Sequence, residues 1–407
     1  MGKFIVTNYR YENTNIIFYG LHDGKRFYNI GFEDKRESVK IGNVYVGLVK
    51  DIVGNINAAF VEFSNGVTGY YSLDDNKHTI FLNKKNTDKV CQGDLILVQV
   101  MKEAIKTKFC VLTSKISLGG VYAVLNYGKS GIGFSNKIQS SEIRNEFKRA
   151  LKDCFLGDES GTDYGVVIRT NAVHVQVQTV LDEVISLKEK MDKILESAKY
   201  LTKFSLVYRE PADYLKQIRG FYDGEITEIV TDSEDLYQEI CAFETENMLS
   251  DYQATLYRDD LLPLYKLYNV EGTIADILNK KVWLKSGAYL IIEQTEAMVV
   301  IDVNTGKGIK GKNMQSHLLQ VNIEAAKEIA YQLQVRNLSG IIMIDFINMT
   351  EQKNKDILIS EIKKEILKDK IKTDFVEMTK LDLVELTRKK TESSIVEQLD
   401  RIVKNSI

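Results

Sequence analysis

Asp302 closes the apolar run Met298-Val299-Val300-Ile301, and Asp345 closes Ile341-Ile342-Met343-Ile344. Strands this apolar are expected to bury nearly every side chain, so a carboxylate at each end calls for a reason. The carboxyl ends of such strands are where α/β sheets place their chemistry. From adjacent strands the two carboxylates can share one hard cation through oxygen ligands, with water completing an octahedral shell. Asn304, two residues after Asp302, falls on the same side if the strand continues. Its amide can orient a water or bind a phosphate. The alternative is that each aspartate merely caps the turn or helix that follows it. The residues alone leave both readings standing.

A second pattern lies next to the first. Gly306-Lys307-Gly308-Ile309-Lys310-Gly311 matches the dinucleotide fingerprint, and Gly306 to Asn313 approaches a P-loop. Gly340 to Asp345 would then pass for the metal-binding strand of an NTPase. Against this, Asn313 stands where the magnesium-binding hydroxyl belongs. The following helix is also expected to begin near Gln320, too late to meet a phosphate. A basic loop of Lys307, Lys310 and Lys312 beside nucleic-acid phosphate is the better use of these residues, and simple solvation the plainer one.

The remaining chemistry-bearing residues argue by exclusion. Cys91, Cys110, Cys154 and Cys241 form no C-x-x-C pair, so neither a zinc site nor a disulfide framework is expected. Their expected state is that of small, partly buried hydrophobes. His22, His78, His174 and His317 are isolated and lack ligand spacing. No run approaches the ~20 apolar residues of a membrane span, and the N-terminus lacks a secretory signal. A cytoplasmic protein is expected. The net charge of −3 decides little, because phosphate affinity depends on clustered Lys and Arg.

The elements that must position these residues follow from periodicity. Between residues 41 and 118, five short β-branched or aromatic runs separated by Gly, Asn and Asp suit a small barrel such as an OB-fold. A glycine-rich stretch around Gly131 and Gly133 leads to a helical segment and the strand Tyr164 to Thr170. A long helix then carries Val184, Leu187, Met191, Ile194 and Ala198 at three- and four-residue spacing. Residues 215–278 mix short strands and helices. From 279 onward the pattern is α/β. It comprises a hairpin across Thr295 and Glu296, a helix burying Ile323, Ala326, Ala330 and Leu333, and the Asp345 strand. A helix around Leu358, Ile362 and Ile366, one more strand and a final helix follow.

Three blocks, VWLKSGAYLIIEQTEAMVVIDVNTGK, NIEAAKEIAYQLQVRNLSGIIMIDFINM and LDLVELTRKKTESS, occur in this order and resemble the signature blocks of RNase E/G endoribonucleases. IGNVYVGLVKDIVGNINAAFVEF resembles that family's OB-fold start, so the likeness runs over nearly the whole chain. The resemblance implies a mixed α+β and α/β architecture of several subdomains. An RNase H-like subdomain is split between residues 1–38 and 215–278. Inserted in it are an OB-fold RNA-binding domain, 39–118, and a 5′-sensor subdomain, 119–214. A DNase I-like catalytic subdomain, 279–407, follows.

The same resemblance implies magnesium (Mg2+) held by Asp302 and Asp345, with Asn304 assisting the cut. Phe60 and Tyr70 match positions that stack single-stranded RNA, and Lys108 matches a basic one. Taken alone, Phe60 reads as core. Arg169 and Thr170 match a pocket for a 5′-monophosphate, with Gly133 approaching the terminal base. The implied function is magnesium-dependent cleavage of single-stranded RNA in processing and decay, favouring 5′-monophosphorylated substrates. The alternative is an RNA-binding scaffold of the same fold that has lost catalysis.

Departures from the family pattern bear on that alternative. No C-x-x-C follows Thr387-Arg388-Lys389-Lys390, so a homo-oligomer, if formed, is not expected to use a zinc link. Asn348 stands where the family carries a further carboxylate, and a long scaffolding tail is not expected, which would make the chain more like RNase G.

Overall fold

The computed structural model describes residues 2–36, 39–83, 89–104, 109–152, 163–221, 225–247, 249, 252–306 and 314–404, apart from the side chains of residues 75–76. It is a mixed α+β chain with several sheets and a small barrel. Two compact units emerge: Met1–Lys35 with Gly224–Ala242 and Ser250–Ile407, and Arg36–Asp223 with Phe243–Leu249. Among the described residues no helix is long and apolar enough to cross a membrane.

In the unit built on Arg36–Asp223, five strands close into a barrel. Their order is Val44–Val53, Ala58–Ser64, Val67–Ser72, Cys110–Thr113 and Leu95–Lys102, and the last pairs back with the first. Period-two alternation decides what points inward. Val61, Phe63 and Tyr71 are fully buried in the barrel with Val49, Ile96, Val98 and Leu112, while Phe60, Glu62 and Ser64 face outward. A four-stranded sheet in the same unit contains Gly131–Phe134 beside Tyr164–Ile168. Helix Val177–Ala198 covers it, burying Val184, Leu187, Met191, Ile194 and Ala198 as the helical spacing predicts.

The other unit carries a five-stranded sheet, ordered Gln253–Leu256, Ile226–Thr231, Gly2–Tyr11, Thr14–His22 and Phe27–Glu33. Its second sheet has six strands, in the order Lys281–Trp283, Tyr289–Gln294, Met298–Asn304, Gly340–Asp345, Leu383–Arg388 and Thr373–Met378. The hairpin across Thr295 and Glu296 is present, closed by the Thr295 hydroxyl and the Met298 backbone. One face of this sheet packs under helices Met314–Val335 and Gln352–Ile366. Leu290, Val299, Ile301, Val303, Ile342, Ile344, Val384 and Leu386 meet Leu318, Val321, Ala325, Ile329, Leu333, Leu358 and Ile362. Each of the Val, Leu and Ile side chains contributes roughly 1.5–3 kcal/mol when fully buried. Ala325 and Ala326 let the long helix lie close to the strands.

Four expectations are corrected here. The Asp302 and Asp345 strands are not buried on both sides: burial alternates along them, and Val300 and Ile341 are 39% and 42% exposed. Among the described residues helices pack on one face of the sheet, and the side chains of the other face are exposed or half-buried. The helix expected near Gln320 already begins at Met314, and its buried stripe starts at Leu318, while Met314 itself is exposed. A late helix start therefore does not count against a P-loop, and Lys307, Lys310 and Lys312 lie outside the described residues. Two strands, not one, precede the final helix Ile395–Lys404. Finally, Cys91 is exposed, whereas Cys110 is buried and Cys241 half-buried.

Candidate functional site

Asp302 and Asp345 are direct partners on two parallel strands, Met298–Asn304 and Gly340–Asp345. Aligned residues on neighbouring parallel strands project from the same face, about 4.8 Å apart along the hydrogen-bonding direction. Their flanking residues Ile301, Val303 and Ile344 are buried on the helix side, which turns both carboxylates onto the open face. The Asp345 strand ends there. The chain then runs through buried Phe346 to exposed Asn348.

Partial burial and the charge of Asp302 hold the Asp345 carboxyl above the usual aspartate range. Two carboxylates set side by side are unfavourable until a cation or proton sits between them. Asn304, on the same face, donates its side-chain amide to Asp302 Oδ2 at 2.7 Å. The strand therefore continues past Asp302 as required, and Asn304 holds that carboxylate in place. Among the described residues no cluster of three or more His, Cys, Asp and Glu side chains could hold a metal. The donor set is a carboxylate pair open to solvent. It suits a hard, largely hydrated ion such as magnesium and not a closed zinc site.

One positioning residue was hidden from sequence reading. Asn322, in the helix under the sheet and fully buried, grips the backbone just beyond Asp345. Its Oδ1 accepts the Ile347 N–H at 3.1 Å and its Nδ2 donates to the Ile347 carbonyl at 2.8 Å. Asn322→Ala leaves both backbone groups unpaired, at an expected cost of about 2 kcal/mol. Urea unfolding should register that loss; an unchanged midpoint would mean that water satisfies the two groups.

On the barrel, Phe60 and Tyr70 are cross-strand partners on the outer face. The core alternative for Phe60 thus fails, since Val61 and Phe63 occupy the interior. Phe109, which sequence reading passed over, is 51% exposed and packs edge-on to Phe60 with ring centroids 5.1 Å apart. Three aromatics therefore share one outer surface. Lys108 lies outside the described residues.

The third group surrounds the strand Tyr164–Ile168. Gly133 pairs with Val167 on the neighbouring parallel strand. Arg169 and Thr170 follow directly, the Arg169 N–H bonding to the Tyr122 carbonyl at 2.7 Å and the Thr170 hydroxyl lying 2.9 Å from that of Ser135. Burial and the nearby Arg219 draw the Arg169 guanidinium down to about 10, against the opposing pull of Glu183 and Glu210. It remains a cation at neutral pH. Glu183 is fixed in turn by backbone N–H groups of Val121, Tyr122 and Ala123. Burial raises its pKa, while these bonds and Arg169 oppose the rise. Nothing in the spacing of Glu183 and Arg219 pointed to this ring of charge.

A family model described as the Ribonuclease E/G family matches residues 117–391. The chain is 37% identical over 368 residues to ribonuclease G of Haemophilus influenzae, covering 87% of this chain and 73% of the relative. To ribonuclease G of Escherichia coli K12 it is 33% identical over 383 residues, with 92% and 77% covered. To ribonuclease E of a Nostoc species it is 30% identical over 370 residues, with 88% and 52% covered.

Proposed function

The chain belongs to the Ribonuclease E/G family, nearer its ribonuclease G members, and from that membership we propose that it is a magnesium-dependent endoribonuclease acting on single-stranded RNA. The observation that carries the catalytic part is the register of Asp302 with Asp345 on the open sheet face. Asp302 and Asp345 would hold the ion, and Asn304 would keep the Asp302 carboxylate aimed at it. Bound there, magnesium would supply positive charge for the scissile phosphate and Lewis acidity for the attacking water. Asn322 fixes the backbone beyond Asp345, so that the second carboxylate presents one geometry.

Substrate binding is assigned to the other unit. Phe60, Tyr70 and Phe109 offer ring faces to unpaired bases, and stacking is tolerant of sequence because every base has a π-face. The reading of the barrel as an OB-fold is supported by its five-strand order and closure. Phe60→Ala is expected to weaken single-stranded RNA binding about tenfold, in line with roughly 1–3 kcal/mol per stacked base. Stability should change little, because the ring is not in the core. Val61→Ala should do the reverse, and equal losses of stability in both would remove Phe60 from the platform. Arg169 and Thr170 would receive a 5′-monophosphate, a guanidinium fork and a hydroxyl being apt donors to phosphate oxygens.

The test follows a short AU-rich RNA on a gel, with magnesium or with EDTA. Internal cleavage that requires magnesium supports the proposal. RNA binding without cleavage under any divalent ion would replace it with a scaffold function.

A further inference from the structure

The open face of the six-stranded sheet is not uniform around the carboxylates. One row across it runs Lys281, Ile291, Asp302, Asp345, and the next runs Trp283, Tyr289, Asn304. Lys281 and Trp283 thus stand two strands from Asp302 and Asn304, or about 10 Å at the usual strand spacing. Trp283 is 63% exposed, unusual for the largest apolar side chain. Its ring meets Tyr289 edge-on, with centroids 5.2 Å apart. The Lys281 ammonium lies 4.0 Å from the Trp283 centroid and 3.8 Å from that of Tyr289. The two rings hold that cation on the edge of the face that carries the aspartates.

The opposite flank differs. There the Asp345 strand is followed by Leu383–Arg388 and Thr373–Met378, where Glu385 and Glu377 are paired neighbours. A polyanion approaching the carboxylate pair meets further carboxylates on that side, and a cation set between aromatic faces on the other. The Trp283 flank carries a carboxylate too, Glu293, but Lys280 pairs with it at 2.9 Å, so charge favours that flank.

We propose that Trp283, Tyr289 and Lys281 form a nucleotide subsite beside the scissile phosphate, in which one RNA base stacks on Trp283 and an adjacent phosphate meets the Lys281 ammonium. The inference rests on the endoribonuclease reading of Asp302 and Asp345. It adds a base contact within the catalytic unit, separate from the aromatic surface of the barrel. A base one or two nucleotides from the cut would be gripped there, which fixes the scissile phosphate against sliding along the carboxylates.

Trp283 is the single tryptophan of the chain, so its fluorescence reports this site alone. The full chain is titrated in EDTA with a short single-stranded RNA, and with heparin as a polyanion without bases. Saturable quenching by RNA and none by heparin is expected. Under magnesium, Trp283→Ala should lose about tenfold in kcat/KM and Trp283→Phe should retain most of it. An abasic residue placed in turn at each nucleotide flanking the cut should slow the wild type at one position and leave Trp283→Ala no slower there. Absent quenching, or Trp283→Ala cutting like the wild type, would overturn the subsite while magnesium-dependent cleavage by the wild type leaves the parent reading intact. A wild type that cuts no RNA would overturn that parent reading, and the titration, which needs no catalysis, would still decide whether a base stacks on Trp283.

Discussion

Asp302→Asn should reduce magnesium-dependent RNA cleavage by on the order of 10^3-fold or more, since it removes half of a two-carboxylate ligand set and the charge that set places at the phosphate. The change is nearly isosteric and falls on the open face, where Asp302 touches Asn304 and not the core. RNA affinity measured in EDTA should persist. Asp345→Asn should lose cleavage comparably and, without metal, should melt slightly higher than the wild type. Burial and the Asp302 charge raise the Asp345 carboxyl above its ordinary range. A carboxyl raised in the folded state disfavours folding once pH exceeds its unfolded value. The gain should therefore be present at neutral pH and fade in acid. Thermal melts of both variants at two pH values, with cleavage rates alongside, check all of this. Full activity in Asp302→Asn would remove the aspartates from the mechanism.

Arg169→Gln should collapse the rate difference between 5′-monophosphate and 5′-hydroxyl substrates, which an Arg–phosphate contact would set at roughly tenfold or more. The hydroxyl-ended substrate should be cut at the wild-type rate. Arg169 stays charged at neutral pH even though burial and Arg219 draw it down to about 10, so any change of the preference between pH 6 and 8 should follow the second ionisation of the phosphate, at pH ~6, and not the arginine. The competing account makes Arg169 a structural partner of Glu183 and Glu210. That account predicts that both substrates slow together and that the variant unfolds more readily. Parallel kinetics on the two RNAs separate the accounts, and an unchanged preference would clear the pocket of any sensing role.

The carboxylate pair was legible because two apolar runs each ended in aspartate, and pairing in parallel register then brought them side by side. What misled was the apolar content of the other positions. Val300, Ile341 and Met343 read as a doubly covered strand, yet they line an open face. Only alternation, with Asp302 and Asn304 in step with Val300, carries the hint of a one-sided sheet. Phe60 was misleading in the same way: an aromatic in an alternating apolar run reads as core, and only its step with Glu62 and Ser64 on the outer face shows otherwise. Asn322 could not be found this way, since a polar residue in a helix reads as solvent-facing until its partner, Ile347, is placed. The ring of Arg169, Glu183 and Arg219 joins residues as much as 50 positions apart, so no local pattern contains it. Phe109 stands just before the short strand Cys110–Thr113, and its role depends on Phe60 elsewhere in the sheet.

Product termini give the most direct test of the claim that the Asp302–Asp345 pair supports attack of water on an RNA phosphodiester. Cleavage of a defined single-stranded RNA in 18O-labelled water, followed by mass spectrometry, identifies the nucleophile. The account predicts 3′-hydroxyl upstream fragments and downstream fragments whose 5′-phosphate carries the label, in wild-type reactions with magnesium only. Cyclic phosphates on the upstream fragments, or labelled cleavage that continues in EDTA, would contradict it.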